Sequence, residues 1–223
     1  MDLFLIWKHK TMLLQGTMVT LELTSGAITM GLILGIIAGM GVISQNRFYR
    51  TASDIYVQLI RGTPILLQIF FFFLGVPQIY YALTGNSISP DPVMTGMIAL
   101  GFNSGAYTAE IIRAGIQAIP TGQSEASHSL GLSDAQTMRY IILPQALRRM
   151  VPPLLSELIV LLKDSALVST IGVMDLMFTS KLLGAKYYNY VPFLVGAGGI
   201  YLFFTVILSR LLKVYEKKYP IRK

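Results

Sequence analysis

The chain reads as an all-α membrane protein with five transmembrane helices, and three observations give that class. Hydrophobic residues make up 53% of the 223 positions and charged residues only 13%, where a soluble domain carries about 25% charged. Four runs are free of charge: Leu23–Asn46, Gly62–Pro90, Pro92–Ala109 and Tyr187–Ser209. Each reaches the roughly 18 apolar residues that mark a bilayer span. A further apolar stretch, Val151–Ile171, is interrupted by Glu157, Lys163 and Asp164 and is counted as the fourth of the five spans.

Taken in order, Met1–Gln15 is short and amphipathic and is placed along the membrane surface. No small-residue cleavage site follows it, so it does not read as a removable signal peptide. Residues 1–16 are assigned to this segment and 17–223 to the transmembrane domain. Span one carries Gly31, Gly35 and Gly39, a doubled G-x-x-x-G suited to close helix packing, inside the chain or between subunits. Asn46–Arg50 reads as a short basic turn and Ser53–Ile60 as an amphipathic approach. Pro64 suits the first turn of span two, set at Pro64–Leu83. Thr84–Pro92 is a turn-rich loop before span three. Gly196, Gly198 and Gly199 permit close packing of the last span, and a basic tail, Lys213–Lys223, follows it.

The charge distribution orients the chain. Arg47, Arg50 and Arg61 flank the first connection, and Arg139, Arg148 and Arg149 the third. Arg210, Lys213, Lys217, Lys218, Arg222 and Lys223 crowd the C-terminus. The second connection carries only Asp91, and the fourth sets Lys181 and Lys186 against Asp175. Basic residues mark cytoplasmic ends, so the N-terminus is expected outside and the C-terminus inside. Lys8 and Lys10 run against that pattern. The net charge of +7 follows this membrane pattern and does not point to nucleic acid.

Between spans three and four lies a long polar stretch, Thr121–Pro144. Thr121 can cap a short helix with Glu125 in its first turn. Gly131 can supply a left-handed ending, and Ser133 with Gln136 has capping-box spacing for a second helix running to Pro144. Two short helices at an angle form a knob. Glu125-Ala126-Ser127, Gly131 and Ile141-Ile142-Leu143-Pro144 resemble, in spacing, the EAA loop of ATP-binding-cassette (ABC) importer permeases. Ser127 stands in place of the second alanine. The resemblance implies a type I, MetI-like permease fold with a cytoplasmic coupling helix. It also implies that Glu125, Ala126, Ser127, Gly131, Ile141, Leu143 and Pro144 dock a separate ATPase.

Three further runs look like the polar amino-acid branch of that family, the histidine, glutamine and arginine permeases: Arg61–Pro64, Phe102–Ile116 and Glu157–Ser165. Glu157 lies eight residues beyond Arg149, about 12 Å along a helix and near the middle of a roughly 30 Å core. Glu157 and Asp164 share a face, and charges at that depth should face the bundle or a wet cavity. A carboxylate pair with Lys163 nearby offers charges complementary to an amino acid. An internal ion pair holding subunits in register is the alternative. Asn103 and Tyr107, at i,i+4, can line the pathway or bond between helices. Ser165 completes the candidate set through the resemblance. Glu110 and Arg113, at i,i+3, read as a scaffold beneath the knob.

Several classes are excluded. There is no cysteine, and His9 and His128 are too separated for a metal site. No G-x-x-x-x-G-K-[ST] occurs, so ATP and magnesium belong to a partner ATPase and this chain is not an enzyme. An intramembrane enzyme lacks a Ser/His or paired-Asp arrangement. The expected assembly is two permease chains, identical or homologous, with P-loop ATPases and an external amino-acid-binding protein, in a bacterial plasma membrane. An ABC permease for an osmolyte or opine is the runner-up. A stand-alone ion-coupled carrier or channel would leave the docking loop unexplained and shows no internal repeat.

Overall fold

The seam between two long helices organises the chain. The computed structural model describes residues 4–219, and every regular element among them is helical. Met1, Asp2 and Leu3 of the N-terminal segment, and Arg222 and Lys223 of the basic tail, lie outside the described residues. After the short α1 (Phe4–Lys8), α2 (Lys10–Val42) packs along α6 (Pro92–Gln117). Glycines on α2 remove the side chains that would hold the pair apart. A Cβ on Gly31 would stand 2.8 Å from Ser104 Cβ, one on Gly39 would stand 3.0 Å from Ile112 Cβ, and one on Gly35 would fall on Thr108. The numbers of each pair rise together, so the helices run parallel. The glycine repeat is therefore used for packing inside the chain. α2 begins at Lys10 and passes unbroken through Gly16, leaving residues 4–9 as the described part of the segment before it.

The basic turn expected at Asn46–Arg50 is instead the start of a helix, α3 (Arg47–Arg61). Asn46 Oδ1 accepts from the Phe48 amide at 2.9 Å, which is an N-cap, so Arg47 and Arg50 are helical. Val57 packs against Ala38 and Ala109, and the Tyr56 hydroxyl donates to the Phe102 carbonyl at 2.7 Å, seating α3 across the seam. Gly62–Pro64 breaks the chain. Pro64 is the residue before the next helix and not part of its first turn, because its ψ of 135° is extended. α4 (Ile65–Phe70), a π segment (Phe71–Gly75) and α5 (Val76–Thr84) then form one continuous helix, ended by left-handed Gly85.

The expected five-span, MetI-like arrangement is corrected here. Three helices among the described residues are long and apolar enough to cross a membrane: Lys10–Val42, Ile65–Thr84 and Tyr190–Lys218. α6 has the length, but Thr95, Asn103, Ser104 and Thr108 dilute its apolarity, and all four are buried in the protein. A helix sheathed by its neighbours does not need a lipid-compatible surface. α9 (Leu143–Asp164) carries Arg148, Arg149, Glu157, Lys163 and Asp164, then tightens into a 3-10 segment (Ser165–Ile171) that stops at left-handed Gly172. Leu23, Ala27, Ile69, Ala99, Leu100, Leu161 and Val168 gather these elements into the main core.

What reads as a fourth connection is mostly helix, α10 (Leu176–Lys186). Asp175 is fully buried and caps it, accepting from the Phe178 amide at 2.8 Å, while Lys181 donates to Ser169 Oγ at 3.1 Å. α11 (Tyr190–Lys218) continues through the basic tail as far as Lys218. Leu13, Leu176, Leu183 and Phe193 pack α10 between α2 and α11, and His9 Nε2 meets the Tyr187 hydroxyl at 2.8 Å. Gly198 and Gly199 have nothing within 4 Å of a Cβ position, so they make no close approach within this chain.

Candidate functional site

Beside the seam is a cleft of about 310 Å³ lined by Thr63, Pro64, Ile65, Asn103, Tyr107, Glu157, Val160 and Asp164. This volume lies within the range of small-molecule sites. Three elements build it. α6 supplies Asn103 and Tyr107 one turn apart. α9 supplies Glu157, Val160 and Asp164 at i, i+3 and i+7, and the break before α4 supplies the wall from Thr63 to Ile65. Four of the six substrate candidates thus come together. Lys163 is exposed and outside the lining, and Ser165 is fully buried, donating to the Leu162 carbonyl at 2.8 Å. Among the described residues neither Glu157 nor Asp164 forms an ion pair.

At the α6 C-terminal side of Tyr107 two arginines converge on one glutamate. The Arg61 guanidinium sits 5.3 Å from the Tyr107 ring centroid and 3.7 Å from Glu110. Glu110 also accepts from Arg113, at 2.9 Å through Nε and again through Nη2, and Arg113 Nη1 donates to Gln117 Oε1 at 2.6 Å. The Arg113 hydrogen bond holds the Glu110 carboxyl below its ordinary value of 4.5. No group of three or more His, Cys, Asp or Glu that could hold a metal occurs among the described residues.

The knob is built as two linked turns. α7 (Thr121–Ser129) starts after Pro120, so Thr121 is its first helical residue and not its cap, and Glu125 falls in the second turn. Gly131, at φ +83°, closes a Schellman ending: its amide donates to the His128 carbonyl at 2.9 Å, and the Leu132 amide to the Ser127 carbonyl at 3.1 Å. Ser133 and Gln136 form the reciprocal capping box that opens α8 (Asp134–Gln136). The helix does not stop at Pro144. A π segment, Thr137–Ile142, widens the turn ahead of the proline, which has no N–H to give, and the helix continues as α9.

Ser127 is buried. Its hydroxyl donates to the Ser124 carbonyl at 2.8 Å, so it accepts from the Thr137 hydroxyl 2.9 Å away and ties α7 to the π segment. Glu125 and Ala126 are exposed, as are Gly131, Leu143 and Pro144, while Ile141 is half-buried. Ile142, Ala146 and Met150 pack with Ile119 and neighbouring isoleucines of α6, fixing the knob to the seam helix.

Residues 31–219 match the family described as binding-protein-dependent transport system inner membrane component. The chain belongs to this family. The permease is 40% identical over 206 residues to the arginine transport system permease protein ArtQ of Bacillus subtilis (strain 168), covering 92% of this chain and 91% of the relative. It is 35% identical over 206 residues to the putative glutamine transport system permease protein GlnP of Rickettsia bellii (strain RML369-C), covering 92% of each. It also resembles a chain in the crystal structure of an amino acid ABC transporter with histidines. There the TM-score is 0.91 at 36% identity, over 98% of this chain and 99% of that one. The family match makes the chain a multi-pass inner-membrane transport component, not a catalyst.

Two features of this permease escape sequence reading. Leu130, 81% exposed at the tip of the knob, is an apolar side chain offered outward; its place just before the left-handed glycine was the available signal. Gln68 is 6% exposed and bonded to Asn103 across 35 residues, a separation no local pattern reveals. The Glu110–Arg113 pair gives a pH prediction. Because the folded value is depressed, its stabilisation is present above pH 4.5 and is lost as pH falls through the depressed value. The thermal midpoint of Glu110→Gln should fall below that of the parent at neutral pH, and the gap should close on acidification. A gap independent of pH would show that the pair does not titrate as described.

Proposed function

We infer that this chain is the membrane permease subunit of an ABC importer for polar amino acids, with ATP hydrolysis on a separate ATPase subunit. The observation that carries the reading is one family member holding both an acidic cleft and an exposed knob, joined by α6. Asn103, Tyr107, Glu157 and Asp164 are the ligand contacts of this reading; Lys163 and Ser165 are left without one. Two carboxylates that form no ion pair among the described residues favour a positively charged ligand. Every amino acid offers its ammonium, and a basic one offers a second charge. Relatives named for arginine and glutamine transport support the class.

Glu125, Ala126, Ser127, Gly131, Ile141, Leu143 and Pro144 form the element that docks the ATPase, with Leu130 as its apolar tip. ATP-driven approach of two such knobs would move α6 and α9, between which the cleft lies. A second permease chain, identical or homologous, completes the pathway, and an external binding protein delivers ligand. Arg139, Arg148 and Arg149 around the knob and Arg210 near the C-terminus support a cytoplasmic position for both.

The test is uptake of radiolabelled amino acids by the assembled importer. Glu157→Gln should raise the arginine KM roughly tenfold or more, the worth of one charge-assisted hydrogen bond, while the ATPase still co-purifies. Unaltered kinetics and ligand preference would remove the cleft from the pathway. Uptake that persists after ATP depletion would favour a secondary carrier instead.

A further inference from the structure

We propose that Gln68 is a positioning residue that fixes the polarity of the cleft by dictating which end of the Asn103 amide faces the ligand. The inference rests on the cleft being the ligand site. Gln68 Nε2 lies 2.7 Å from the Ile60 carbonyl, 3.1 Å from the Thr63 carbonyl and 3.0 Å from Thr63 Oγ1. Backbone carbonyls only accept, so the amide of Gln68 cannot turn over without setting its oxygen against them. Its Oε1 is therefore held toward α6, where it accepts from Asn103 Nδ2 at 3.0 Å.

That bond propagates the same constraint one residue further. Asn103 turns its NH2 toward Gln68, giving it one N–H, and its Oδ1, which accepts from no described residue, is left to the cleft. Thr63 is also spoken for: its hydroxyl donates to the Leu59 carbonyl at 2.9 Å while receiving Gln68. Apart from the Tyr107 hydroxyl, which can donate or accept, the polar side-chain groups turned to the ligand are then acceptors, namely Asn103 Oδ1 and the carboxylates of Glu157 and Asp164. Donor-rich cations fit such a wall, and a ligand that presents a carbonyl at that place meets like against like. Gln68 thereby acts on specificity without touching the ligand. It also staples the break at Gly62–Pro64, which forms one wall of the cleft, to α6.

Arginine and citrulline separate the two polarities, because they share a shape and differ in a guanidinium against a neutral urea. Equilibrium dialysis of each against the purified permease–ATPase complex, without binding protein, reads the ratio of their affinities. Gln68→Met keeps an unbranched side chain of similar length but frees Asn103 to rotate, and the preference for arginine should fall roughly tenfold. Asn103→Asp cuts the same bond from the other end while keeping acceptors toward the cleft, and should raise that preference. Equal shifts in the two variants, or equal weakening of both ligands by Gln68→Met, would reduce the bond to a structural one and overturn the proposal. Should Gln68→Met fail to assemble, a fall in the ratio for Asn103→Asp overturns it alone. Glu157→Gln runs in parallel. Unchanged arginine binding there removes the cleft itself, whereas weakened binding with an unmoved ratio in Gln68→Met sinks only the polarity lock.

Discussion

Gly131→Pro should abolish uptake while the permease still reaches the membrane. Proline locks φ near −65°, and Gly131 sits at +83°. It would also delete the amide that donates to the His128 carbonyl, and with it the turn that carries the Leu132–Ser127 bond. The local cost is about 3 kcal/mol or more. Confinement of the damage follows from the surroundings: nothing lies within 4 Å of a Cβ at Gly131, and the Ile119, Ile142, Ala146 and Met150 cluster that holds the knob to α6 is separate from it. The helical core should therefore form, with Leu130 and Glu125 displaced from the positions proposed to dock the ATPase. Glu125→Lys is the companion variant, since it reverses an exposed charge without a packing cost. Membrane level by immunoblot, ATPase recovery in a mild-detergent pull-down and amino-acid uptake are read together. Full uptake in both variants would show that the ATPase docks elsewhere.

Much of this arrangement is legible in the sequence, and the failures have physical causes. Turn chemistry is local, so the left-handed Gly131 and the Ser133–Gln136 box are readable from spacing alone. Periodicity likewise places Glu157 and Asp164 on one face, and both line the cleft. Span counting fails where burial replaces lipid. α6 is hidden by its neighbours and tolerates Asn103, Ser104 and Thr108, so a charge-free run signals an interior helix as readily as a membrane one. Helix boundaries at Pro64 and Pro144 are misplaced for related reasons: an extended ψ puts Pro64 outside the helix, and a π turn lets the chain continue through Pro144. Gln68 is invisible because its meaning lies in carbonyls and an amide brought to it by tertiary packing.

The α2–α6 seam yields the other large effect. Gly35→Ala should destabilise the folded permease by up to about 3 kcal/mol, the upper end for overpacking, and Gly26→Ala on the same helix should not. Helix propensity favours alanine at both sites by about 1 kcal/mol, so a loss at Gly35 must come from the seam. The neighbours decide the difference. A Cβ at Gly35 falls on Cβ and Cγ2 of Thr108, a β-branched side chain set by its own helix, with the Gly105 carbonyl 3.0 Å away. A Cβ at Gly26 meets the thioether end of Met97, which has three rotatable bonds and can step aside. Thermal midpoints of the detergent-purified complex would show Gly35→Ala well below the parent and Gly26→Ala close to it. Thr108→Gly should return part of the loss in the Gly35→Ala background, since it removes the atoms in the way. Equal midpoints for the two alanine variants, or no recovery with Thr108→Gly, would mean that α2 and α6 do not meet along this glycine face. The parallel seam that positions Asn103, Tyr107 and the knob would then have to be drawn differently.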